Sequence, residues 1–73
     1  MNLERKHRVL VTGSAGRIGR AAAQALVERG HFVRGFDRVA SSGASEAVVG
    51  SIGDFKAMQQ AAQGVDTIIH LAA

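Results

Sequence analysis

Residues 9–19 read Val9-Leu-Val-Thr-Gly-Ser-Ala-Gly-Arg-Ile-Gly19 and decide the fold. An apolar run is followed by three glycines, Gly13, Gly16 and Gly19, and then by an alanine-rich segment. This order predicts a strand, a phosphate-binding turn and a helix, because glycines permit a tight turn, a close approach of a diphosphate to the backbone, and close packing of helix on sheet. The first N–H groups of such a helix lack partners within it and lie at the positive end of its dipole. We therefore expect an anionic ligand at this turn.

The sequence on both sides of the glycines favours this interpretation over an ordinary flexible turn. A β-branched run precedes them, and the apolar positions that follow recur at the spacing of one helix face. These positions are Ile18, Ala22, Ala25 and Leu26. We expect a helix over about Arg17 to Arg29, with Gly30 as its left-handed C-terminal cap.

The segment Thr12-Gly-Ser-Ala-Gly-Arg-Ile-Gly19 resembles the Thr-Gly-x-x-Gly-x-x-Gly fingerprint of the extended short-chain dehydrogenase/reductase superfamily, in particular its NAD-dependent epimerase/dehydratase group. Other short-chain dehydrogenases usually have three residues between the first two glycines, whereas this chain has Ser14 and Ala15. The resemblance implies a Rossmann-like doubly wound parallel sheet and a dinucleotide cofactor. The turn residues that it assigns to the cofactor are Gly13, Ala15, Gly16, Arg17, Ile18 and Gly19.

A second predicted strand, His31 to Asp37, ends in an acid. Strand, helix and strand within about thirty residues form a right-handed crossover with parallel strands. Asp37 follows Gly19 by eighteen residues, near the distance at which the dinucleotide fold places an acid on the adenosine ribose hydroxyls. The alternative for Asp37 is a turn or cap residue. A carboxylate on the ribose repels a 2′-phosphate, which favours NAD over NADP, while Arg38 can stack on adenine or pair with that phosphate.

The remaining chain predicts a loop, a strand, a helix and a strand. These are a polar loop over 39–46, a strand over 47–49, a helix over 55–63 and a strand over 65–73. The element order is then β-α-β-β-α-β, and the expected strand order in the sheet is 3-2-1-4. Phe55 and Met58 share one face of the second helix and are expected in the core.

Two later segments extend the resemblance. Gly50-Ser-Ile-Gly-Asp54 resembles the family's Gly-Asp-Leu-x-Asp segment, but Ser51 stands where the family has the acid that contacts the adenine amino group. Ser51 and Ile52 are assigned to the cofactor on this basis, and Asp54 is expected to cap the following helix. Asp66-Thr-Ile-Ile-His-Leu-Ala-Ala73 resembles the Asp-x-Val-x-His-x-Ala-Ala segment, whose end passes the cofactor riboses. This places Leu71, Ala72 and Ala73 at the cofactor.

The three histidines carry no prediction of catalysis or metal binding. His70 lies in an apolar strand without a cysteine or a second histidine nearby, which is typical of a hydrogen-bonded structural residue. The sequence assigns no partner to His7 or His31. No metal-ligand spacing exists among the three.

The composition limits the classes of function. The 73 residues carry a formal charge of +3 and no cysteine, so no disulfide or thiolate metal site can form within the chain. Basic residues are spread over a polar leader, residues 1–8, and over helix and strand ends without aromatic residues between them, so a nucleic-acid partner is not expected. No apolar run reaches the length of a membrane span, and the leader lacks the apolar core of a secretory signal. We expect a cytoplasmic protein.

Residues 9–73 have room for about half of a doubly wound fold of six strands, so we expect the N-terminal portion of an NAD(P)-binding Rossmann domain. The resemblance implies an epimerase, dehydratase or dehydrogenase acting on a sugar or sugar nucleotide, and leaves a homodimer open. In this family a Tyr-x-x-x-Lys pair and a Ser or Thr handle protons, and this chain has no tyrosine, so the catalytic residues are expected elsewhere. The alternative is part of a non-catalytic NAD(P)-binding sensor or regulator, which would lack Tyr-x-x-x-Lys after Ala73.

Overall fold

Four parallel strands form a single sheet in the computed structural model, which describes residues 5–72. The strands are β1 (Arg8–Thr12), β2 (Phe32–Asp37), β3 (Glu46–Val49) and β4 (Thr67–His70). Their order in the sheet is β3-β2-β1-β4, so the predicted fold class and strand order are confirmed. Ala73, which the sequence assigns to the cofactor, lies outside the described residues.

Two helices cover the two faces of the sheet. Helix α1 (Arg17–Glu28) joins β1 to β2, and helix α2 (Phe55–Ala61) joins β3 to β4. Because side chains alternate along a strand, Val9 and Val11 of β1 pack with α1, and Leu10 between them packs with α2. All three side chains are fully buried. A strand covered on both faces is apolar at its covered positions, which explains the run Val9-Leu-Val11 in the middle of β1.

The buried face of α1 differs from the predicted one. Ile18 is 71% exposed, and the buried residues are Gly19, Ala23 and Leu26. Small residues occupy this face because the first turn of the helix lies directly against the glycine turn, where a side chain at position 19 would overlap the Gly13 carbonyl. Of the four apolar positions named from the periodicity, Leu26 is the buried one.

Helix α2 also departs from prediction at one position. Phe55 is 76% exposed, so its placement in the core is wrong, whereas Met58 packs against the buried cluster of Leu10, Phe36 and Ala61. Phe55 is the first residue of the helix. The predicted cap is confirmed, because the Asp54 side chain accepts a hydrogen bond from the Ala57 N–H at 3.1 Å.

The ends of the elements follow local geometry. Gly30 has a φ of +88°, as expected for a left-handed cap after α1. Strand β4 ends at His70, three residues before the predicted end. Its partner β1 ends at Thr12, and Gly13 turns away with a φ of +72°, so Leu71 makes a last backbone hydrogen bond to the Thr12 carbonyl at 3.2 Å and the ladder stops.

Two histidines to which the sequence assigned no partner lie together at the amino ends of β1 and β2. The backbone N–H of His7 donates to Nδ1 of His31 at 3.0 Å, and the two rings are 5.5 Å apart. Asp66 contacts His7 Nδ1 at 3.1 Å and accepts from the Arg8 N–H at 3.1 Å. Hydrogen bonds from the Thr67 hydroxyl and the Arg8 N–H lower the pKa of Asp66. These contacts attach the residues before β1 to the loop before β4.

Two kinds of feature are absent from residues 5–72. Neither helix there is long and apolar enough to cross a bilayer. Within the same range, no three or more His, Asp or Glu side chains are grouped so that they could hold a metal ion.

Candidate nucleotide-binding cleft

A cleft of about 270 Å³ opens at the carboxyl ends of the strands. This is the edge where ligands bind in open parallel sheets, beside the point at which the strand order reverses. Its lining residues are Gly13, Gly16, Phe36, Asp37, Arg38, Gly50, Ile52, Leu71 and Ala72. A second hollow of about 360 Å³ shares three of these residues and continues along the start of α1. It is lined by Gly13, Gly16, Arg17, Ile18, Gly19 and Leu71.

The folded chain itself leaves no room for a side chain at two of the three glycines, Gly13 and Gly19. Gly13 has a positive φ, and a Cβ there would lie 2.8 Å from the Ala72 nitrogen. A Cβ on Gly19 would overlap the carbonyl of Gly13. Both positions therefore exclude larger residues whether or not a ligand is bound.

Gly16 is different, because the folded chain does not need glycine there. Its backbone is extended, with a φ of −75° and a ψ of 170°, a conformation open to any residue. A Cβ would meet one atom within 4 Å, the Gly13 oxygen at 3.4 Å. The missing side chain leaves open space in the cleft, as the approach of a ligand diphosphate requires.

The start of α1 offers unpaired backbone donors to this space. Gly16 is the N-cap and supplies no side-chain hydrogen bond, and the first turn holds no acidic residue. The first intrahelical bond runs from the Arg20 N–H to the Gly16 carbonyl at 2.9 Å. The earlier N–H groups of the helix are therefore directed at the cleft mouth, where the dipole favours an anion.

Asp37 joins the glycine turn to the end of β2. One carboxylate oxygen accepts a hydrogen bond from the Ala15 N–H at 2.9 Å, and the other accepts from the Arg38 N–H at 2.6 Å. The carboxylate lines the cleft and is partly exposed. The two backbone contacts fix the orientation of the carboxylate, so Asp37 has the turn-residue role that the sequence offered as an alternative. Its exposed lone pairs can still accept further hydrogen bonds.

A hydrogen bond between two serines connects the glycine turn to the loop after β2. Ser14 is fully buried, and its hydroxyl donates to the hydroxyl of Ser41 in the loop between β2 and β3 at 2.9 Å. Gly35 of β2 lies against both, since a Cβ there would be 2.6 Å from the Ser14 oxygen and 2.5 Å from the Ser41 oxygen. The glycine turn and the loop after β2 are thereby held together.

The end of β4 is tied to β1 through Thr12. Its buried hydroxyl oxygen accepts hydrogen bonds from the N–H groups of Leu71 at 3.1 Å and Ala72 at 3.4 Å. The same oxygen lies 2.6 Å from Nδ1 of His70. His70 therefore has the hydrogen bond expected of a structural histidine.

The structure brings most of the assigned cofactor residues to the two adjoining hollows. Ala15 contributes through its N–H to Asp37. Ser51 is not among the lining residues of either hollow. Its hydroxyl accepts from the Gly53 N–H at 3.1 Å and its carbonyl from the Asp54 N–H at 3.0 Å. It closes the turn before α2.

Phe36 and Gly50 line the cleft but were missed in the sequence. Phe36 is fully buried, and a Cβ on Gly50 would lie 2.9 Å from its ring. The glycine after β3 was the available signal, since a glycine at a strand end often marks a close approach of another group.

Comparison with known proteins identifies the family. The family model described as "NAD dependent epimerase/dehydratase family" matches residues 9–73. The chain belongs to this family. The resemblance noted in the sequence is thereby confirmed.

The proteins that this chain resembles in sequence are named for different reactions. The chain is 46% identical over 70 residues to a 3-beta-hydroxysteroid dehydrogenase of Mycolicibacterium neoaurum, a match that covers 90% of this chain and 19% of that protein. It is 37% identical over 68 residues to a 2-alkyl-3-oxoalkanoate reductase of Stenotrophomonas maltophilia, covering 86% of this chain and 20% of that protein. The chain thus spans about a fifth of the length of these relatives.

A crystal structure gives the same fold. A short-chain dehydrogenase/reductase superfamily protein from Agrobacterium tumefaciens, crystallised with bound NAD, superposes with a TM-score of 0.85 and 51% identity. The match covers 92% of this chain and 20% of that one. NAD, the cofactor expected from the sequence, is therefore both the cofactor that gives the family its name and the ligand of this structural neighbour.

Proposed function

We propose that residues 9–73 bind NAD as the cofactor-binding portion of an NAD-dependent epimerase, dehydratase or dehydrogenase. The observation that carries this proposal is the open space at Gly16, beside the uncapped start of α1. A diphosphate fits both features, since it needs a bare backbone and unpaired N–H donors. The resemblance and the neighbour with bound NAD support the same ligand.

Asp37 is the proposed ligand of the adenosine ribose. Its two oxygens are oriented by the N–H groups of Ala15 and Arg38, which leaves lone pairs for ribose hydroxyls. The negative charge disfavours a 2′-phosphate at the same place. NAD is therefore the expected cofactor rather than NADP, with the exposed Arg38 beside it at the cleft.

The proposed chemistry is oxidation or reduction at a hydroxyl-bearing or carbonyl carbon. NAD supplies the hydride acceptor or donor when it is bound. The residues of this chain bind and orient it, because no tyrosine is present to act as the family's general acid or base. A sugar or sugar nucleotide remains the proposed substrate class, and the steroid and oxoalkanoate named in two relatives are the comparison substrates in a turnover assay of the intact protein.

The cofactor assignment is tested by titrating the intact protein with NAD and NADP in a calorimeter. We expect tighter binding of NAD. Asp37→Asn keeps an oxygen for the Ala15 N–H but removes the charge and the acceptor for the Arg38 N–H. It should reduce the preference for NAD about tenfold, the effect of one charge-assisted contact. Asp37→Ala removes both functions and should weaken both cofactors as well. An unchanged ratio of NAD to NADP affinity in Asp37→Asn would reject the ribose role.

A homodimer is proposed for the intact protein from the resemblance alone. Light scattering coupled to gel filtration measures its mass directly, and a monomer at micromolar concentration would reject it.

A further inference from the structure

The Thr12 hydroxyl occupies the junction between β1, β4 and the cleft. Thr12 and His70 are register partners in the β1–β4 ladder, so their side chains point to the same side of the sheet. The hydroxyl oxygen contacts His70 Nδ1 at 2.6 Å and the N–H groups of Leu71 and Ala72 at 3.1 and 3.4 Å. One buried oxygen thus joins one ring nitrogen and two backbone donors.

The direction of each hydrogen bond follows from the donor inventory. A backbone N–H can only donate, so the two lone pairs of the Thr12 hydroxyl oxygen face the N–H groups of Leu71 and Ala72. The Leu71 N–H is shared with the Thr12 carbonyl, at 3.2 Å, whereas Ala72 has the hydroxyl as its acceptor. The hydroxyl proton must then go to His70, whose Nδ1 acts as the acceptor. The neutral ring therefore carries its proton on Nε2.

The two backbone groups held in this way belong to the cleft. Leu71 and Ala72 line it. Their backbone also lies against the glycine turn, since a Cβ on Gly13 would be 2.9 Å from the Leu71 carbonyl carbon and 2.8 Å from the Ala72 nitrogen. A shift of this segment would change the width of the cleft beside the diphosphate turn.

We infer that His70 is a positioning residue for the cofactor cleft, which acts by accepting the Thr12 proton and so directing the hydroxyl lone pairs at Leu71 and Ala72. Without an acceptor at Nδ1, the buried hydroxyl has to turn its proton elsewhere and gives up one of the two N–H groups. The effect on NAD rests on the proposed function. The effect on the backbone of Leu71 and Ala72 does not.

The test compares two substitutions at one position. His70→Asn keeps an acceptor oxygen at about the place of Nδ1, whereas His70→Leu keeps the bulk and removes the acceptor. In the intact protein without NAD, hydrogen exchange resolved to single amides should be faster at Ala72 in His70→Leu and near wild type in His70→Asn. The effect at Leu71 should be smaller, because its N–H keeps the Thr12 carbonyl as an acceptor. The ¹⁵N shifts of the wild-type ring should show the Nε2–H form.

The same variants are then titrated with NAD. His70→Leu should weaken binding about threefold to tenfold, the range of one hydrogen bond, and His70→Asn should bind within about twofold of wild type. In a Thr12→Val background, His70→Leu should add nothing, because the two residues act through one hydroxyl. Should Thr12→Val fail to fold, the contrast between Asn and Leu decides by itself.

An equal exchange rate at Ala72 in the two variants would overturn the inference, as would a ring protonated on Nδ1. An effect of His70→Leu that persists undiminished beside Thr12→Val would also overturn it. Absence of NAD binding in the wild-type protein would reject the proposed function instead, while the exchange measurement still decides whether His70 positions the backbone.

Discussion

Gly13 and Gly16 lie three residues apart in one turn, yet substitutions at the two positions should damage different properties. Gly13→Ala forces a side chain into a positive φ and against the Ala72 nitrogen, so it should lower the free energy of unfolding by on the order of 1–3 kcal/mol. Gly16→Ala meets open space, and its cost is that of replacing glycine by the poorer N-cap alanine, so it should lower the free energy of unfolding by about 1 kcal/mol or less. Its methyl group occupies the cleft instead, and NAD affinity should fall about tenfold or more.

Chemical denaturation and NAD titration of the same two variants separate these effects. The alanine substitution is identical in both, so each variant serves as the control for the other. A Gly16→Ala protein that binds NAD as the wild type does would show that the space at Gly16 is not used by the cofactor.

His31 should make stability depend on pH near neutrality. It is 3% exposed, its Nδ1 accepts from the His7 N–H, and its Nε2 has no hydrogen-bond partner among residues 5–72. Burial lowers its pKa from the ordinary 6.5, and the positive charges of His7, Lys6 and Arg29 lower it further, opposed by Asp66. The unfolded chain therefore takes up the proton first as pH falls.

The sign of this effect follows from proton linkage. The contribution of neutral His31 to the free energy of unfolding is complete above pH 6.5, the ordinary pKa of histidine. This contribution is lost as pH falls below that value, until the folded histidine also becomes protonated. Denaturation midpoints measured between about pH 7.5 and pH 5 should therefore decrease toward acid. In His31→Asn, which keeps an acceptor for the His7 N–H, this decrease should be smaller. An identical pH slope in the two proteins would contradict the assignment.

At the scale of elements, Arg34 of β2 connects three of them. Its Nε donates to Glu46 of β3 at 3.0 Å, and its Nη1 donates to the carbonyls of Ala61 and Gln63 at the end of α2, at 2.7 and 2.6 Å. The Arg34 side chain is 13% exposed. The planar guanidinium serves a carboxylate and two carbonyls at fixed angles, which an ammonium group cannot reproduce.

Arg34→Lys and Arg34→Ala should therefore both lower the free energy of unfolding, by about 1–3 kcal/mol, since they leave helix-end carbonyls without a charged donor. Glu46→Gln is the matched control, because Glu46 is half exposed and its ion pair lies at the surface, where such pairs contribute at most about 1 kcal/mol. Urea denaturation measures all three variants. A lysine variant as stable as the wild type would contradict this role.

The elements that the sequence predicts well are those with local signals. Strand β1 (Arg8–Thr12) contains the apolar run before Gly13 from which a strand is predicted, and such a run followed by glycine is a local signal. The Asp54 cap is equally local. The inward face of α1 has no local signal, since it depends on how closely the helix approaches the glycine turn. The close approach leaves room for the small residues Gly19 and Ala23 on that face, and Ile18 is exposed.

The same distinction holds for the site. The positions at strand ends were found from the sequence because parallel strands bring their carboxyl ends to one edge. The hydrogen-bonded pairs that shape the site were not found from the sequence, since their members are far apart in the chain. Ala15 and Asp37 are separated by 22 residues, and Thr12 and His70 by 58. Whether such atoms meet is decided by the register of β1 with β2 and β4.

For the molecule as a whole, NAD should act as a stabiliser. A ligand that binds the folded state alone adds about 2.7 kcal/mol to the free energy of unfolding at one hundred times its Kd. The melting temperature of the intact protein should therefore rise with NAD and rise less with NADP at the same concentration. Gly16→Val, whose side chain fills the space beside the diphosphate turn, should lose most of the rise. A shift retained by this variant would place NAD elsewhere.

The two serines that meet over Gly35 bear on how this protein can change over time. Three positions from separate parts of the chain share one small volume. A methyl group at position 35 would meet the hydroxyl oxygens of both Ser14 and Ser41, so it is compatible with the fold only after both serines move or are replaced. Descendants of this sequence should alter these positions together or leave all three as they are. The loop after β2 would then keep its shape because a buried strand residue has no side chain.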